Sequence, residues 1–90
     1  MVQTQMSGDE VARRGNAWYA ESIRAKVETP ENIGKMVIID VESGDYELAE
    51  SGLTAADRLY ERHPQGKLFG IRVGYRAAAT IGGTMERVSL

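Results

Sequence analysis

The chain has 90 residues, a formal net charge of −2 and no cysteine. That length makes one small domain. The missing cysteines exclude a disulfide framework, a thiolate zinc site and a cysteine nucleophile. No apolar run approaches the roughly 20 residues that span a bilayer. The start MVQTQMSGDE has no basic stretch followed by an apolar one, so no signal peptide is expected and the composition suits the cytoplasm.

Residues 1–8 read as a flexible tail that ends in a helix start. Ser7 and Glu10 have the spacing of a capping box, and the helix they open can run to about Val27, because Pro30 stops it. Its apolar stripe is Val11, Ala12, Gly15, Trp18, Tyr19 and Ile23, with Val27 at the margin. Trp18, the only tryptophan, has two readings: a core anchor, or an interface hot spot of the kind that favours tryptophan. TPENIG is then a linker.

KMVIIDV is a strand with apolar residues on both faces, Met36 and Ile38 against Val37, Ile39 and Val41. Such a strand belongs in the middle of a sheet. ESGD is a turn in which Gly44 tolerates positive φ. YELA is a second strand, and its alternation marks a half-exposed edge. In the following helix Leu53, Ala56, Leu59, Tyr60 and His63 lie along one side. Thr54 with Asp57 reads as a capping box, and Ser51 competes for the cap. Pro64 and Gly66 end the helix. KLFGIRVGY is a third strand with Phe69, Ile71, Val73 and Tyr75 on one face. Gly70 and Gly74 on the other face suggest close approach of another backbone or helix. RAAATIGG adds a short helical turn, and residues 84–90 read as a flexible tail.

Together these elements predict an α+β fold: an N-terminal helix followed by a ββαβ unit, with a three-stranded mixed sheet of order 2-1-3, all within residues 9–83. A right-handed crossover makes the third strand parallel to the second. One sheet face is covered by the crossover helix. The N-terminal helix covers the other, or leaves it bare as a dimer surface.

No side-chain pattern meets the needs of catalysis. Asp40, Glu42 and Asp45 cluster at the hairpin without calcium-loop spacing, and they read as a solvated acidic turn. Glu42-Ser43-Gly44 has Glu where an aspartic protease needs Asp. His63, the only histidine, has no partnered acid in any known order and reads as support for the last helical turn. KLFGIRVGY lacks the aromatic platform of an RNA-binding strand. Charge is uneven: acids crowd Glu28 to Asp57, and bases dominate from Arg58 onward. That asymmetry fits either a balanced surface or a dipolar molecule meeting a complementary partner.

The segments AWYAESIRAKVE, GKMVIIDVESGDYEL and LFGIRVGYRAAATIGG resemble a family of short uncharacterised bacterial proteins frequent in cyanobacteria, over most of residues 9–83. The resemblance implies no enzymatic activity, no cofactor and no assigned site residues. Some members look like partners of a neighbouring small gene, in an antitoxin-like arrangement. The expected function is therefore a non-enzymatic protein–protein interaction module, acting as a homodimer or with a partner chain. A small nucleic-acid-binding regulator is the alternative. No catalytic residue, cofactor or metal ligand is expected. Trp18, Tyr19, Tyr46, Arg72 and Tyr75 are the interface candidates.

Overall fold

The computed structural model describes residues 6–76 and 86–87. Most of the N-terminal tail, the helical turn expected in RAAATIGG and the last three residues lie outside them. The described chain opens with helix α1, Gly8–Trp18, and stays helical through a π segment, Tyr19–Ile23, and α2, Arg24–Val27. Ser7 is the N-cap, and its hydroxyl accepts from the Glu10 amide at 3.1 Å. The capping box is only half formed, because the Glu10 carboxylate turns outward to Arg13 and Arg14 instead.

The π segment has a geometric cause. The buried residues of this helical stretch are Gly15, Tyr19, Ile23 and Val27, spaced strictly by four. A four-residue step overshoots an α-helical turn by about 40° each time. One wider turn restores the alignment and keeps all four against the same sheet face. Asn32 then caps the end, its Nδ2 donating to the Val27 carbonyl at 3.0 Å. The expected linker holds a single 3₁₀ turn, Pro30–Asn32.

Strands β1, Met36–Asp40, and β2, Tyr46–Ala49, are followed by α3, Gly52–Arg62, and β3, Leu68–Arg72. The sheet order is β2-β1-β3, with the doubly apolar β1 in the centre as its sequence demands. Both of its neighbours pair antiparallel to it. The sheet is therefore antiparallel throughout and not mixed. β2 and β3 do run in the same direction, but β1 separates them, so no parallel ladder forms. A separate two-stranded pair, β4 (Tyr75–Arg76) with β5 (Glu86–Arg87), follows a turn at Gly74, whose φ is +83°.

The two faces of β1 feed two cores. Val37 and Ile39 join Tyr19, Ile23, Val27, Ile71 and Val73 beneath the N-terminal helix. Ile38 joins Ala55 and Leu59 beneath α3. Helices thus cover both sheet faces, and the premise of a bare face available for dimerisation does not hold. Ser51, not Thr54, caps α3; its hydroxyl accepts from the Thr54 amide at 3.2 Å.

Candidate functional site

Two surfaces have features beyond ordinary packing. One lies where the end of α3 meets the β1–β2 turn. The other is the opposite flank of α3, beside β3.

At the first, the chain folds a histidine between two aspartates. Asp40 ends β1 on the α3 side and is 3 % exposed. Its carboxylate accepts from the Glu42 amide at 3.3 Å and from the Ser43 hydroxyl at 2.8 Å. His63, the C-cap of α3, places Nδ1 3.4 Å from Asp40 Oδ2 and Nε2 2.9 Å from Asp45 Oδ2. Arg62 donates from Nε to Asp45 at 2.9 Å and lies 2.7 Å from Glu47 through Nη1. The acidic turn is therefore not merely solvated, and His63 does have partnered acids. It does not serve the helix carbonyls as expected. Sequence spacing hid the cluster because the contacts cross some 18 residues and depend on where α3 ends.

The Nε2 of His63 is hydrogen-bonded to Asp45, and its Nδ1 stands 3.4 Å from the Asp40 carboxylate. The Ser43 hydroxyl donates to Asp40 and accepts from the Asp45 amide. Among the described residues no three His, Asp or Glu side chains are placed to hold a metal ion. The cluster instead ties the end of α3 to the hairpin turn.

Its electrostatics give a prediction. The Arg62 guanidinium beside Asp45, helped by the His63 ring and the Tyr46 amide, holds the Asp45 carboxyl down at about 2, against an ordinary 3.8. A lowered carboxylate stabilises the fold above its unfolded value and loses that contribution as the pH falls. Between about pH 4 and pH 2 wild type should therefore lose stability more steeply than Asp45→Asn. The carboxylate is about one-third exposed, so screening keeps the variant's cost at neutral pH to about 1 kcal/mol or less. Urea unfolding across that pH range reads both; parallel curves for the two proteins would refute the assignment.

The interface candidates sit in different surroundings. Tyr19 is buried, and its hydroxyl donates to Glu28 at 2.7 Å. Burial and that carboxylate push its phenol up. Trp18 is half-buried; its Nε1 donates to the Val41 carbonyl at 2.9 Å and its ring lies on Gly44. Tyr46 is half-buried against the core beneath the N-terminal helix. Arg72 donates from Nη1 to the Gly34 carbonyl at 2.8 Å and stands 5.9 Å from the ring centroid of Tyr75.

Among the described residues the large apolar side chains most exposed to solvent are Leu53, 75 % exposed, and Tyr60, 45 % exposed. Both were expected on one side of α3 with Ala56, Leu59 and His63. The helix is rotated so that Ala55 and Leu59 point inward. Arg62 reaches β2, so Leu53 and Tyr60, about half a turn around the axis, flank the β3 side. On β3 Gly70 lies exposed, with the ends of Ile38 and Met36 as the nearest side-chain atoms to the place of its missing Cβ. No backbone or helix closes on it, contrary to the expectation from two glycines on one face, and Gly74 serves its turn.

No protein-family model, no curated protein and no solved structure matches this chain. Among the described residues no helix is long and apolar enough to cross a membrane.

Proposed function

We propose that this chain is a non-enzymatic protein–protein interaction module of the cytoplasm, acting as a homo-oligomer or with a partner chain in an antitoxin-like arrangement. The observation that carries the reading is the outward placement of Leu53 and Tyr60 on a helix whose inner face already has its core. Two large apolar groups on one flank, beside the open Gly70, form a surface that association would remove from water. The hydrogen bond from His63 Nε2 to Asp45, with Asp40 facing Nδ1, weighs against an enzyme. Neutralisation of Arg62 by Asp45 and Glu47, in a chain of net charge −2, weighs against nucleic acid.

The test is association of wild type and of Leu53→Glu/Tyr60→Glu. Sedimentation at micromolar concentration reports self-association. Tagged wild type captures a partner for identification, and the complex is then rebuilt from the two purified chains. The double variant should keep its fold, since both side chains are exposed, and lose roughly 100-fold or more in affinity. A monomeric wild type whose rebuilt complex ignores the two charges would refute the reading.

A further inference from the structure

The outer edge of β3 is a row of backbone groups with no strand partner among the described residues. Its inner edge is anchored at both ends: the Val41 amide donates to Lys67 O at 3.0 Å, and the Val73 amide donates to Lys35 O at 2.8 Å. Residues 67, 69, 71 and 73 therefore turn their backbone groups toward β1. By the two-residue alternation of an antiparallel ladder, Leu68, Gly70 and Arg72 turn theirs outward.

The surface beside this edge is shaped to match. Gly70 contributes no side chain on the α3 face, and a Cβ there would stand 3.0 Å from Ile38 Cδ1 and 3.5 Å from Met36 Cε. Leu53 and Tyr60 stand exposed on the near flank of α3. Lys67 and Arg72 lie toward the two ends of the strand, and neither pairs with a carboxylate among the described residues. Two copies joined through this edge would bring both pairs of cations into one seam. A segment carrying acids would instead be complementary.

We propose that β3 takes an extended, acid-flanked apolar segment of a partner protein as a fourth, antiparallel strand. Backbone hydrogen bonds to Leu68, Gly70 and Arg72 supply the register. An apolar side chain opposite Gly70 packs over the ends of Ile38 and Met36, and carboxylates at the segment's ends meet Lys67 and Arg72. This assignment rests on the interaction reading above and names the partner's chemistry.

The probe is a phage-displayed library of random peptides, about a dozen residues long, panned on the full chain. Selected peptides should alternate apolar residues and carry Asp or Glu near their ends. Backbone N-methylation at every second residue removes the donors facing β3 in one register and those facing solvent in the other. The first should weaken binding roughly 100-fold and the second by less than about 2-fold. Arg72→Glu should weaken it about 10-fold or more. Gly70→Val, which raises a side chain on the face the segment must cover, should do the same provided its unfolding curve stays near wild type; the methylated peptides decide the matter if it does not. Peptides that bind but tolerate methylation in both registers would overturn strand addition while leaving an interaction module in place. A library that yields no binder would also overturn it. Self-association of wild type that is abolished by Arg72→Glu would assign the edge to a second copy and overturn the partner segment. A wild type that is monomeric, binds no peptide and forms no complex would remove both readings together.

Discussion

Trp18→Ala should unfold at a much lower temperature than wild type without changing its sedimentation. The indole lies over the β1–β2 turn, its Nε1 donates to the Val41 carbonyl at 2.9 Å, and it packs against the core beneath the N-terminal helix. Truncating a packed tryptophan costs about 3–5 kcal/mol, and the half-buried position of this ring places the expected loss toward the lower end. For a domain of this size each kcal/mol moves the midpoint by roughly 4–8 °C, so the fall should exceed about 10 °C. Trp18→Phe should recover part of it, keeping a ring on Gly44 but losing the hydrogen bond. If the tryptophan were an interface anchor, the alanine variant would instead dissociate an oligomer with its melting temperature little changed. Thermal unfolding and sedimentation on the same samples distinguish the two.

The second large effect is Gly44→Ala, for two reasons that can be separated. Gly44 has φ +82°, a conformation that costs an L side chain about 1–3 kcal/mol. Its Cβ would also fall 2.7 Å from Trp18 Cζ3, inside contact distance. The indole cannot simply swing away, because Nε1 is held by Val41. Overpacking of this kind adds about 1–3 kcal/mol. In the Trp18→Ala background only the backbone strain remains, so the two substitutions should be less than additive, by about 1 kcal/mol or more. Strict additivity in a double-mutant cycle would mean that the ring does not rest on the turn.

These two residues also show what the sequence could and could not reveal. Gly44 was readable as a turn residue because the two flanking strands and a short polar link leave it little else to do. Ser7 was readable as a cap, Ser51 only as a competitor of Thr54, and the two apolar faces of β1 placed it in the centre. Each of those inferences uses neighbours within a few residues. Trp18 was ambiguous because its stripe fits both a core and an interface, and the hairpin turn on which its ring lies comes from another element. The same holds for His63, whose partners Asp40 and Asp45 come from another element. Leu53 and Tyr60 were misplaced because a broad apolar arc on α3 includes them, whereas the small Ala55 carries little hydrophobic signal and yet sits fully buried. The π segment follows from the four-residue spacing of Gly15, Tyr19, Ile23 and Val27, a periodicity visible in the chain but easily taken for an ordinary helix. A mixed sheet was expected because β3 runs parallel to β2, but strands separated by β1 cannot form that ladder.

If the α3–β3 flank is where this protein meets its partner, amide hydrogen exchange will show it residue by residue. In the free chain Phe69 and Ile71 should be protected by β1, while Leu68, Gly70 and Arg72 exchange fast from the outer edge. On adding a saturating partner or selected peptide, those three amides should slow by roughly 100-fold or more, with little change along β2. Fast exchange at Leu68, Gly70 and Arg72 in the complex, with new protection confined to β2 or to the N-terminal helix, would contradict the account.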